Sequence, residues 1–294
     1  MYDGQMSFQC IIINDLNLLS LFQTFNGEYA FRGQSNIDWK LKTSFERFME
    51  SNPTSRPHHE IEAKIISTFE RQVHQYLQKI GIEFDKLDIN DKRAVIQHYG
   101  GPTRMLDVTK SFINALAFAL IENSTNASAV YCFRRIITEV NSDASDYLRD
   151  ILLKLSATGQ VAPGVEIPEQ TNPDKIIKTY FPQKPCFRNM FQSGFFLVPG
   201  VVDIPFEKVL ANNLGVEAIS FEKETYFSCI EKLKQKEICE ELLSKATIIK
   251  VIIPSELKVA ARKFVFKEVS MINLYPDIYG VVQSLKQIDT KSLM

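Results

Sequence analysis

The sequence predicts an α+β fold: a single mixed domain with a central sheet, flanking helices and a long surface insertion. Two observations carry this reading. Segments with helical spacing and segments with strand character are interleaved along the whole chain without regular alternation, which suits a mixed sheet better than a doubly wound one. The run Thr247–Ile253 is β-branched and nearly all apolar, as expected of a strand buried on both faces. No linker cleanly divides the chain, so one domain is expected over residues 29–283, with an N-terminal extension at 1–28 and a C-terminal tail at 284–294.

In chain order, Tyr29-Ala30-Phe31-Arg32 is short and aromatic and meets Gly33, which predicts a strand entering a turn. Residues 51–57 read as a loop. A helix follows over Glu60 to Gln78, with Ile65, Phe69 and Val73 on one face. A second helix is expected over Ser111 to Ile121, where Phe112, Ala115, Leu116, Ala119 and Leu120 form an apolar stripe and Thr109 or Ser111 can cap the first turn. Ala129–Phe133 and Gly194–Val198 read as strands. Residues 159–185, rich in Pro, Gly and polar residues, are the expected surface insertion. A charged helix is expected over Glu222–Lys245, and a further helix over Ser255 to Lys263 after Pro254.

Composition narrows the function classes. Lys plus Arg number 34 against 35 Asp plus Glu, so the basic surplus that broad nucleic-acid binding needs is missing. The five cysteines are widely spaced and form no CxxC pair, so neither a zinc site nor a disulfide framework is expected, and no metal. No apolar run reaches membrane-spanning length, and the first residues lack a basic leader, so a cytoplasmic chain with no membrane partner is expected. The phosphate-loop, GxGxxG, HExxH and GxSxG patterns are all missing, which disfavours P-loop ATPases, Rossmann dehydrogenases, zincins and α/β-hydrolases.

Two polar blocks can carry chemistry. In Phe31-Arg32-Gly33-Gln34, an Arg at the end of an aromatic strand offers a planar fork of donors to carboxylate or phosphate oxygens, and Gly permits close approach. The alternative is an Arg that braces the turn through a buried carboxylate. The second block, Gln97-His98-Tyr99-Gly100-Gly101-Pro102-Thr103-Arg104-Met105-Leu106-Asp107-Val108-Thr109, is the densest polar stretch and stands directly before an apolar helix. Asp107 can pair with Arg104 or Arg32, or hold a tautomer of His98. The alternative is a hydrogen-bonded, capped turn. His58-His59, without a third ligand, reads as a surface pair. Leu274-Tyr275-Pro276-Asp277-Ile278-Tyr279-Gly280 reads either as a structural closure or as a turn that brings Asp277 to a pocket.

Taken together these blocks resemble the FRG-domain family. The first block is carried by Phe31-Arg32-Gly33-Gln34-Ser35, Trp39, Leu41, Ser44 and Arg47. The second is carried by Gln97-His98-Tyr99-Gly100, Pro102-Thr103-Arg104, Leu106-Asp107, Thr109, Ala115 and Phe118-Ala119. Arg188, Gln192, Gly194 and Phe195 are similar to a third block, and Leu274-Tyr275-Pro276-Asp277 with Gly280 to a closing one. Thr43, Gly101, Val108 and Tyr279 depart from the family pattern. A weaker resemblance links Arg32-Gly33 and the stretch Thr103–Ala119 to the first two motifs of ADP-ribosyltransferases.

These resemblances imply NAD as substrate, no metal, and a protein or nucleic acid as acceptor. They imply Arg32, Gly33, Gln34, Tyr99, Arg104, Asp107 and Thr109 as nucleotide-binding residues, and His98, Asp277 and Glu268 as catalytic candidates. The activity they imply is ADP-ribosyl transfer or NAD cleavage, in bacterial stress or phage defence. A non-catalytic module that binds a nucleotide, a phosphate ligand or a partner through the same polar cluster is the competing expectation.

Overall fold

The computed structural model describes residues 7–79, 87–122, 125–134, 172–182, 192–219 and 246–275. They build an open seven-stranded mixed sheet with helices on both faces. The strands are β1 (Ser7–Ile12), β2 (Tyr29–Gln34), β3 (Leu106–Thr109), β4 (Ser128–Arg134), β5 (Ile177–Tyr180), β6 (Gly194–Pro199) and β7 (Ala246–Ile253). Their order across the sheet is β1-β7-β4-β2-β3-β6-β5. Only β1 and β7 run parallel; the other neighbours are antiparallel.

Alternation along the strands sorts the core into two layers. Tyr29 and Phe31, Val130 and Cys132, and Ile249, Val251 and Ile253 join one cluster with α1 (Asn17–Gln23), α5 (Phe112–Leu120) and α7 (Lys258–Glu268). Ala30, Ala129, Tyr131, Phe133 and Ile248 face the other way, onto α6 (Phe206–Leu214). This period of two is what a strand covered on both sides requires. Residues 7–25 contribute to the sheet and its first layer: β1 is a sheet edge, and Leu19, Phe22 and Phe25 are buried.

The remaining helices start where capping chemistry allows. Thr43 and Glu46 form a reciprocal capping box at α2 (Ser44–Ser51), Asp88 caps α4 (Ile89–His98), and Ser111 caps α5. The expected strands and helices at 29–32, 60–78, 111–121, 129–133, 194–198, 247–253 and 255–263 are all present with ends shifted by a few residues; the 60–78 helix is α3 (His58–Lys79). The last of them begins as a 3-10 turn, Ser255–Leu257, before α7. Part of the expected insertion is instead sheet: within 172–182, β5 pairs with β6, with Ile177 fully buried and Tyr180 packed against the core. The helix expected at 222–245 lies outside the described residues.

Two contacts position the elements around the sheet centre. Gly33 lies under α5: a Cβ built there would stand 1.9 Å from the Ala115 carbonyl oxygen and 2.7 Å from the Ala119 amide. The small residues of α5 and the glycine of β2 therefore meet backbone to backbone. On the other half of the sheet, the buried Glu62 of α3 binds Arg93 of α4 and Arg104 of the following loop through hydrogen-bonded ion pairs. Burial alone would raise the Glu62 carboxyl, but the bond to Arg104 and the charges of both arginines hold it below its ordinary value of 4.5.

Gly33→Ala should cost about 3 kcal/mol, because the new methyl meets backbone that cannot move aside without shifting α5; thermal unfolding would measure it. Glu62→Gln should cost about 3 kcal/mol by leaving two arginines uncompensated. A carboxyl with a depressed folded pKa contributes stability above its unfolded value and loses it as pH falls through the folded one. The wild-type advantage over Glu62→Gln in denaturant midpoint should therefore be full at pH 7 and shrink progressively below about pH 4.5.

Candidate functional site

Between β2 and β3 the sheet parts. The two strands share a single register pair, Phe31 with Thr109, whereas β2 pairs along six residues with β4 and β3 along four with β6. Continued register would set Gly33 opposite Asp107, but no ladder joins them. The Arg32 guanidinium spans the opening instead: Nη1 donates to the Asp107 backbone oxygen at 2.7 Å and lies 3.9 Å from carboxylate Oδ2. A side-chain donor thus takes the place of a backbone one.

The parting opens into a cleft of about 310 Å3. Its floor is Phe31, Arg32, Gly33, Asp107, Val108, Thr109 and Phe195–Phe196. Gln97 and His98, at the end of α4, form one side, and Phe118 of α5 with Tyr275 the other. The Phe118 and Tyr275 rings meet edge to face at 6.0 Å.

Electrostatics in the cleft centre on one cation and one carboxylate. The Arg32 side chain is 18% exposed and its Nε is buried without a hydrogen-bond partner among the described residues. Burial pulls the guanidinium below its ordinary value; Asp107 opposes that shift and Arg47 adds to it. Asp107, by contrast, is 59% exposed. Its Oδ2 accepts from Gln97 Nε2 at 2.7 Å, and the Gln97 amide oxygen in turn accepts from the hydroxyls of Thr103 and Ser44 at 2.6 and 2.8 Å. Of the pairings open to Asp107 from the sequence, the one with Arg32 is formed. Arg104 is engaged elsewhere, with Glu62 and the Gly200 carbonyl.

The fold brings Arg32, Gly33, His98, Asp107 and Thr109 to the cleft and leaves other candidates away from it. Gly33 lines it through backbone only, since its open side is filled by α5. Thr109 is buried, and its hydroxyl donates to the Gln192 carbonyl at 2.6 Å and accepts from the Ser111 amide. Tyr99 is exposed beyond the end of α4 and sits edge-on to His98 at 4.9 Å. Gln34 is buried outside the cleft, its amide donating to the Lys40 carbonyl. Glu268 ends α7, where it accepts from Gln23 rather than facing the cleft. Asp277 lies outside the described residues.

Several lining residues belong to the blocks read from the sequence but are not among its binding or catalytic candidates: Gln97, Gln192, Phe118, Phe196 and Tyr275. Each stands inside a polar or aromatic block, which was the available signal, but nothing in the spacing distinguishes a wall residue from a core one. Gln192 joins three segments: its carbonyl accepts from Thr109 and Asn114, and its side chain donates to the Leu274 carbonyl beside Tyr275.

Among the described residues no helix is long and apolar enough to cross a membrane. No curated protein and no solved structure matches the chain. A family model described as the FRG domain matches residues 27–128, a stretch narrower than the resemblance read over 29–283, with the Gln192 and Tyr275 blocks beyond it. Arg32, Gln97, His98, Asp107, Thr109 and Phe118 all fall within the match, and the chain is thereby identified as carrying an FRG domain at residues 27–128.

Proposed function

We propose that the β2/β3 cleft binds an anionic nucleotide, with NAD as the candidate, and that the chain cleaves it or transfers its ADP-ribose unit to a protein or nucleic-acid acceptor. The observation that supports this reading is Arg32. It is a mostly buried cation whose nearest carboxylate among the described residues is 3.9 Å away and itself exposed to solvent. A cation compensated this weakly gains from an arriving anion, and a guanidinium suits phosphate oxygens. The aromatic side of the cleft, Phe118 and Tyr275, offers apolar surface to a planar ring, and His98 stands across from it. A setting in bacterial stress or phage defence goes with the same proposal.

A second reading, recognition without turnover, is favoured by the carboxylates. Glu268 is engaged by Gln23 away from the cleft, which leaves Asp107 as the lone carboxylate among the described lining residues.

Calorimetric titration of the full chain with NAD, together with an assay of nicotinamide release, separates the two. Wild type should bind NAD and release nicotinamide, and Arg32→Ala should weaken binding by roughly 10- to 100-fold, the range for a lost charge-assisted hydrogen bond. Arg32→Lys, which keeps the charge, guards against a folding defect and should fall between. Binding without release would establish the recognition module, and a wild type that does not bind NAD would overturn the nucleotide assignment.

A further inference from the structure

We infer that Asp107 selects among the anions that Arg32 attracts, and that Gln97 is its positioning residue. The cleft then prefers an anionic group flanked by hydroxyl donors, as in a ribose phosphate, over a bare phosphate or pyrophosphate. This rests on the anionic-ligand reading above and adds the substrate class.

Asp107 is fixed at three points. Its backbone oxygen takes Arg32 Nη1, β3 pairs it with Phe196, and Oδ2 takes Gln97 Nε2. Oδ1 receives no hydrogen bond from the described residues, and the side chain is largely open to solvent at the cleft floor. An oxygen that is held in place and left open is an acceptor awaiting a donor.

Gln97 makes the arrangement directional. Its amide oxygen already accepts from Thr103 and Ser44, so the amide nitrogen is the end turned to Asp107. Turning the amide over would set its oxygen against the carboxylate. Ser44 also accepts from the Thr103 amide, so α2, the 99–105 loop and α4 all bear on one carboxylate.

The floor therefore offers a donor and an acceptor side by side, Arg32 and Asp107. A bare anion meets the first and is repelled by the second. An anion with neighbouring hydroxyls satisfies both, because an ionised carboxylate only accepts. Were Asp107 merely the counter-ion of Arg32, it would weaken every anion equally.

The full-length chain should be titrated with ADP-ribose and with pyrophosphate, as wild type, Asp107→Asn and Gln97→Glu. Asp107→Asn keeps an oxygen for Gln97 and removes the charge. It should weaken ADP-ribose about 10-fold, the equivalent of one charged hydrogen bond, while pyrophosphate binds as well or better. Gln97→Glu keeps the acceptor for Ser44 and Thr103 but cannot donate to Asp107. It should lower the ADP-ribose preference several-fold, with the melting temperature checking that the fold persists. An equal change for both ligands in Asp107→Asn would establish the counter-ion role and overturn the inference, as would no change in either. Wild type that binds pyrophosphate but not ADP-ribose would overturn the selectivity and keep the Arg32 anion site. Wild type that binds neither would sink the anionic-ligand reading and this inference with it.

Discussion

Arg32 occupies the place where the sheet stops being a sheet. On one side of it the sheet runs from β2 through β4 and β7 to β1; on the other, from β3 through β6 to β5. The two sets share one register pair and one side-chain bond. Had β2 and β3 stayed paired, the donors and acceptors of Gly33 and Asp107 would have been consumed by each other. Because they part, a guanidinium and a carboxylate stand at the floor of a cleft instead of lying within a ladder.

Holding that opening requires rigidity on both sides, and the two sides obtain it differently. The β2 side is held by apolar packing, with Phe22, Phe31 and Phe112 in contact and Gly33 pressed onto α5. The β3 side is held largely by polar contacts: Glu62 with Arg93 and Arg104, and Gln97 with Ser44, Thr103 and Asp107. Apolar packing is non-directional and sets how closely elements approach. Hydrogen-bonded networks are directional and set which atom faces which. A site built at their junction has a firm floor and an oriented carboxylate.

The two sequence blocks that carry the family resemblance turn out to be partners in packing as well as in the cleft. The Gly of the first block accepts the Ala115 and Ala119 backbone of the second, and the Arg of the first reaches the Asp107 carbonyl of the second. A glycine beside an arginine reads as room for a ligand, yet here the room is taken by a helix.

The sequence by itself determined the strands at Tyr29, Ala129, Gly194 and Thr247, the apolar stripe of α5, and the clustering of polar residues before it, because these are local patterns of composition, spacing and capping. It also placed Arg32, His98 and Asp107 among the residues to watch. Tertiary structure alone decided that β3 exists as a strand, since four residues carry too little periodicity. It alone also decided that Asp107 meets Gln97 and Arg32 while Arg104 goes to Glu62. Those choices depend on which helix covers which strand, a long-range outcome that no local window of sequence contains.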